Sequence, residues 1–139
     1  RFDVLLVDAF SGDSIPAHLL TREAINEYLA KLGDDGFLVI HISNRYFDLM
    51  PVLADSAGRA GWHVVSISAQ PGAPSAETAH AAPTIYAIFY PPARKAELES
   101  WVLAALESSA ITYKITPGFQ VKPMAWTDER HAIIDVLRE

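Results

Sequence analysis

Residues 2–16, FDVLLVDAFSGDSIP, decide the fold and hold the first candidate site. Residues 4–7 form a short apolar run bounded by turn signals, which predicts a parallel strand buried on both faces. Asp8 then lies at the carboxyl end of this strand. Ligands of open parallel sheets bind outside the carboxyl ends of the strands. Asp8 and the polar turn that follows it therefore mark a candidate site.

Helix and strand patterns alternate along the rest of the chain, which predicts an α/β domain. Apolar residues at helical spacing predict helices over residues 21–32, 48–59 and 94–106. Further strands are predicted over residues 37–42, 62–68, 84–90 and 111–115. Gly33 and Gly36 are predicted to end the first helix. A last helix, capped by Thr127, is predicted to bury Ile133, Ile134 and Leu137.

Composition limits the class of protein. A chain of 139 residues, half of them hydrophobic, is long enough for one domain with its own core. The net charge of −6 argues against a nucleic-acid partner, which favours a basic face. No cysteine is present and the five histidines show no metal-ligand spacing, so we expect no metal. No apolar run approaches the roughly 20 residues of a membrane helix, so no membrane contact is expected for this segment.

One part of a complete nucleotide-binding fold is missing from the sequence. A glycine-rich turn of the form GxGxxG normally follows the first strand of such folds. No predicted strand of this chain is followed by that pattern. We therefore expect that the chain is a fragment and that the other half of the fold precedes Arg1.

Three stretches carry a resemblance to a known family: DAFSGDSIPAHLLTREA at residues 8–24, HISNRYFDL at 41–49 and WTDER at 126–130. In these the chain resembles the C-terminal half of the spermidine synthase (polyamine aminopropyltransferase) family. The likeness is closest to bacterial spermidine synthase-like proteins, some of which are fused behind a transporter-like membrane segment. The resemblance implies a cytoplasmic protein, or the soluble domain of a membrane-anchored parent.

The resemblance also implies a fold for the chain. Residues 1–139 would be a single spermidine synthase-like domain that lacks its N-terminal, cofactor-binding half. The fold would be the C-terminal half of a Rossmann-like, class I methyltransferase-type fold. Its sheet would be mostly parallel with an antiparallel last strand pair, formed here by residues 62–68 and 84–90.

The activity that the resemblance implies is transfer of an aminopropyl group from decarboxylated S-adenosylmethionine to a diamine such as putrescine, with methylthioadenosine as the second product. By resemblance Asp8 is the catalytic acid, since a carboxylate must take a proton from the ammonium before the amine can attack. Asp13 is the candidate for a second acid that holds the other end of the diamine. The family pattern has two acids three residues apart with proline directly after the second, whereas Asp8 and Asp13 are five apart and Pro16 follows three later. The co-substrate would be bound mainly by the missing half, so the fragment alone is expected to be inactive.

Five further positions are candidates for contact with the substrate. Ser11 and Gly12 would contact substrate together with Asp13, or Gly12, Asp13 and Ser14 would only form a turn. Ser43 and Asn44 follow the second strand at the same sheet edge as Asp8, although Asn44 fits equally well as a helix cap. Trp126 would cover an apolar part of the ligand, or would pack in the core. His41, inside an apolar strand, is predicted to be a core residue.

The long segment 69–83 is predicted to be a lid over the site or a disordered connector.

Two alternative functions remain open from the sequence. One is a methyltransferase-like enzyme that uses S-adenosylmethionine on another nucleophile. The other is a noncatalytic half-fold that assembles with itself or with a partner. An incomplete sheet would leave the edge of strand 4–7 exposed, and exposed edges tend to pair. We therefore expect a homodimer or an assembly paired along that edge.

Overall fold

The computed structural model describes residues 1–9, 16–44, 46–70, 84–108, 112–117 and 126–129. The strands are β1 (Phe2–Val7), β2 (Leu32–His41), β3 (His63–Gln70), β4 (Thr84–Tyr90) and β5 (Thr112–Pro117). The helices are α1 (Arg22–Lys31), α2 (Met50–Arg59) and α3 (Lys95–Ser108). Short 3-10 turns at Ala17–Leu19 and Pro92–Arg94 precede α1 and α3. The α/β prediction is confirmed.

The described strands form one mixed sheet in the order β1-β2-β4-β3-β5. Only the β1–β2 pair is parallel, and the other three neighbouring pairs are antiparallel. The prediction of a mostly parallel sheet is therefore wrong for the described pairs, because β4 inserts between β2 and β3 and so separates two strands of the same direction. The predicted antiparallel pairing of β3 with β4 is confirmed.

Helices cover the two faces of the sheet unequally. The larger core cluster joins one sheet face to α1 and α2, through residues such as Ile25, Val52 and Leu53. The opposite face packs on α3, where Leu98 meets Phe37 and Val65. The Arg94 guanidinium also lies 5.1 Å from the Phe37 ring centroid, a cation–π contact that ties the start of α3 to β2.

Strand β1 is not buried on both faces, which corrects the prediction made from its apolar run. Leu5 and Val7 pack against the larger core cluster. Phe2, Val4 and Leu6, on the other face, are each 57% exposed. The reason is position: β1 is the edge strand of the described sheet, and no described helix covers its second face.

Gly33 and Gly36, predicted to end the first helix, lie within β2, since α1 ends at Lys31 and β2 begins at Leu32. Phe2 pairs with Leu32 and Val4 pairs with Phe37, so one residue of β1 stands opposite four residues of β2. This detour, residues 33–36, is possible because Gly36 has no side chain. A Cβ there would lie 3.0 Å from the Phe2 carbonyl oxygen. Beyond the detour the two strands run in regular register to Val7 and Ile40.

The ends of α1 and α2 follow local chemistry. Thr21 caps α1, since its hydroxyl accepts a hydrogen bond from the Ala24 N–H. At the end of α2, Gly61 has φ +74°, and the N–H groups of Gly61 and Trp62 donate to the carbonyls of Gly58 and Ala57. This pattern is a Schellman motif, which needs a left-handed residue at that point.

The described C-terminal piece, residues 126–129, docks on the start of α1. The Arg22 N–H donates to the Trp126 carbonyl at 2.7 Å, and the Thr21 hydroxyl donates to Asp128 Oδ1 at 2.6 Å. The Asp128 N–H donates to Glu23 Oε2 at 3.1 Å. Hydrogen bonds to the Glu23 carboxylate, first from its own N–H and then from Arg22 and Asp128, lower its pKa.

Two predicted segments of the later chain lie outside the described residues. One is most of the segment 69–83, of which only residues 69 and 70 are described and continue β3, and the other is the last helix beyond residue 129. Within the described ranges, no helix is both long and apolar enough to cross a membrane.

Candidate functional site

Asp8 follows β1 directly and lies beside the last residue of β2. Because Val7 pairs with Ile40 in a parallel ladder, the next residues along, Asp8 and His41, come level with each other. Asp8 Oδ1 is 2.8 Å from His41 Nδ1. The Asp8 side chain is 51% exposed and that of His41 21%, so solvent or a ligand can reach the carboxylate.

Ser43 extends this contact on the far side of the imidazole. His41 Nε2 lies 2.6 Å from Ser43 Oγ. The same oxygen accepts a hydrogen bond of 2.7 Å from the Ile85 N–H at the start of β4. Asp8, His41 and Ser43 therefore form one hydrogen-bonded row across the carboxyl ends of β1 and β2.

His41 is the site residue that the sequence analysis missed, since it was assigned to the core. A signal was present in the sequence, because His41 and Ser43 are two apart and so share a face of the chain where β2 ends. The predicted parallel pairing of the first two strands also brings the end of β2 to the same edge as Asp8. What was lacking was the register, which the detour at residues 33–36 makes unpredictable from spacing.

Asn44 lies beside the row, but its side chain hydrogen-bonds to the backbone. Its Oδ1 accepts hydrogen bonds from the Tyr46 N–H at 2.9 Å and the Phe47 N–H at 3.0 Å, and the residue is buried. Asn44 therefore makes hydrogen bonds of the kind a cap makes, but they order the turn before α2 rather than the first turn of α2 itself. Asp48 is the residue whose carboxylate accepts from the Met50 N–H at the start of that helix.

Trp126 is 2% exposed and belongs to the larger core cluster. This placement matches the packing interpretation of Trp126. Contact with a ligand would first require the residue to be uncovered. Ser11, Gly12 and Asp13 lie outside the described residues, so their predicted roles stay predictions.

The row offers a partly exposed carboxylate backed by an imidazole. An ionised carboxylate can bind an ammonium group and accept its proton when the amine reacts. Among the described residues, no group of three or more His, Asp and Glu side chains is arranged to hold a metal ion.

Comparison with known proteins gives a local match. The chain is 46% identical over 39 residues to a polyamine aminopropyltransferase of Vibrio vulnificus (strain CMCP6). The match covers 28% of this chain and 13% of that protein. This local similarity is to the spermidine synthase family. No family model matches the chain, and no solved structure matches it.

Proposed function

We propose that this chain carries the amine-binding part of an aminopropyltransferase, in which Asp8 binds and deprotonates a diamine such as putrescine. The observation that carries the proposal is the partly exposed Asp8 carboxylate at the carboxyl end of β1, held at 2.8 Å by His41. The local identity to a polyamine aminopropyltransferase supports the same reaction.

The chemistry requires a group in the place of Asp8. A diamine is protonated near neutral pH, and an ammonium nitrogen has no lone pair with which to attack. Asp8 takes one proton, and the free amine then attacks the carbon next to the sulfonium of decarboxylated S-adenosylmethionine. A C–N bond forms as the C–S bond breaks, and its electron pair stays on sulfur, which gives methylthioadenosine.

Among the described residues, Asp8 offers a carboxylate for the amine side of this reaction. The described residues hold no glycine-rich turn after a strand that would cradle the adenosine part of the co-substrate. We therefore propose that residues other than the row bind that part of the co-substrate. Asp13, five residues after Asp8, is proposed to hold the second ammonium of the diamine.

The test is a transfer assay on the full-length protein with decarboxylated S-adenosylmethionine and several diamines, read out as methylthioadenosine. Asp8→Asn keeps the size of the side chain but removes the base, so we expect turnover to fall by about 10²–10⁴-fold. Asp34→Asn is the matched control, because this exposed carboxylate pairs only with Arg1 in the described contacts and lies in the detour, away from the row. Equal turnover in the wild type and Asp8→Asn would remove Asp8 from the mechanism.

The same assay separates the two alternative functions. A methyltransferase-like enzyme would consume S-adenosylmethionine and leave its decarboxylated form untouched. A noncatalytic assembly module, favoured by the exposed apolar face of β1, would consume neither.

A further inference from the structure

The hydrogen-bonded row has one consistent direction when Asp8 is ionised and His41 is neutral. An ionised carboxylate can only accept, so the 2.8 Å contact at Asp8 Oδ1 requires a proton on His41 Nδ1. A neutral imidazole then has no proton on Nε2, which must accept from the Ser43 hydroxyl at 2.6 Å. Ser43 Oγ in turn accepts from the Ile85 N–H. Every donor in the row therefore points toward Asp8.

The far end of the row is anchored in the sheet. The β2–β4 ladder continues past its last paired residues, since the Ile42 N–H donates to the Ile85 carbonyl at 2.9 Å. The Ile85 N–H then donates to Ser43 Oγ, so a side-chain oxygen takes the place of a backbone carbonyl. The Ile85 backbone thus fixes the Ser43 hydroxyl, and this hydroxyl contacts the His41 imidazole.

A neighbouring ring further restricts the imidazole. The Tyr86 ring, opposite His41 on β4, lies 5.0 Å from it between centroids. With Ser43 at Nε2, this contact leaves the ring little freedom to rotate. Asp8 stands beyond the end of β1 and is half exposed, so its described contact with His41 is what orients the carboxylate.

We infer that His41 is a positioning residue for Asp8, and that Ser43 serves to hold the His41 ring in place rather than to bind substrate. This inference rests on the proposed function of Asp8. With Oδ1 held by the imidazole, the carboxylate presents Oδ2 to an ammonium group in one direction. Precise placement of a base matters because a shift of about 1 Å can cost about 10²-fold in rate.

The order of carboxylate, imidazole and hydroxyl is also that of acyl-transfer triads. Ser43 differs from a triad nucleophile because its oxygen is an acceptor within the sheet ladder. We therefore expect that a fluorophosphonate probe does not label Ser43. Labelling of Ser43 that disappears in His41→Gln would overturn the positioning role.

A pair of variants at His41 tests the inference directly. The amide nitrogen of Asn reaches the place of Nδ1, so His41→Asn can still donate to Asp8 but not contact Ser43. The longer Gln reaches the place of Nε2, so His41→Gln can contact Ser43 but not Asp8. In the transfer assay with putrescine we expect kcat to fall by about 10²-fold in His41→Gln. The kcat of His41→Asn should be about 10-fold higher than that of His41→Gln. A larger loss in His41→Asn than in His41→Gln would contradict the inference.

Imidazole ¹⁵N spectra of the full-length protein give a readout that needs no activity. We expect the neutral His41 ring to carry its proton on Nδ1, with Nε2 unprotonated. The His41 signals are assigned as those that disappear in the His41→Gln variant. Ser43→Ala leaves the contact with Asp8 and so should keep the proton on Nδ1, but the ring loses its partner at Nε2 and the Nε2 signal should shift. Ser43→Thr keeps the hydroxyl and should keep the wild-type spectrum. A neutral ring protonated on Nε2 would refute the row's direction. If the wild type transfers nothing to any diamine, the proposed function fails, while these spectra still decide the inference.

Discussion

Gly36 sets how closely β1 and β2 approach at the start of their pairing. A Cβ at this position would lie 3.0 Å from both the Phe2 carbonyl oxygen and Leu32 Cβ. Gly36→Ala must therefore push backbone atoms apart, since a carbonyl oxygen cannot swing away as a long side chain can. We expect a loss of about 1–3 kcal/mol in the free energy of unfolding, measured by urea denaturation.

Gly58 provides the control for that measurement. It lies inside α2, is exposed, and a Cβ there would have nothing within 4 Å. Gly58→Ala should stabilise the protein by about 0.5–1 kcal/mol, because alanine loses less backbone entropy in a helix. Similar effects at Gly36 and Gly58 would show that the approach of β1 to β2 does not depend on a missing side chain.

The placement of a single residue was predictable where the local sequence alone decided it. Asp8 could be found from the sequence because it ends an apolar run, and the structure puts it at a sheet edge with a partner. The contact of His41 with Asp8 could not be found in the same way. An isolated histidine in an apolar strand has the same pattern whether it is a core residue or a site residue, and only the register of β1 against β2 separates the two.

Helix α1 is joined at its start to residues 126–129, and Thr21 makes two contacts there. Its buried hydroxyl accepts from the Ala24 N–H and donates to Asp128. Thr21→Val keeps the shape but removes both bonds and leaves Asp128 without that donor. We expect a loss of about 1–2 kcal/mol in the free energy of unfolding.

Thr21→Ser is the matched variant, since it keeps the hydroxyl. Hydrogen exchange reports separately on the helix cap, at the Ala24 amide, and on the docking of residues 126–129, at the Asp128 amide. In Thr21→Val, protection should fall at both amides. Unchanged exchange at Asp128 would mean that the C-terminal piece is held to α1 by its other contacts alone.

The elements themselves were largely predictable. The three described helices begin and end within two residues of the predicted positions. This is because the spacing of apolar residues and the capping residues depend only on the local sequence. Sheet order was not predictable to the same extent. The insertion of β4 between β2 and β3 depends on contacts far apart in the chain, and no local pattern records it.

The whole molecule presents an apolar face on its edge strand. Phe2, Val4 and Leu6 alternate along β1 and are all more than half exposed. Such a face, beside an edge of the sheet that no described strand pairs with, favours association. We expect the chain expressed alone to sediment as a dimer or larger species, and Val4→Lys with Leu6→Lys to shift it toward the monomer.

Tyr46→Lys is the control for that experiment, since Tyr46 is also an exposed large side chain but lies outside β1. Its sedimentation should match that of the wild type. A wild-type chain that is monomeric at all concentrations would contradict the expected pairing.

The detour at residues 33–36 has a consequence for how the chain tolerates changes in length. It takes up the whole mismatch between β1 and β2 before the strands reach Asp8 and His41. Asp34 and Asp35, at its tip, are exposed. Residues added between these two aspartates would lengthen a surface excursion without changing the phase of the strands. This tip is therefore the natural graft point for a peptide tag or reporter that must leave the carboxylate and the imidazole aligned.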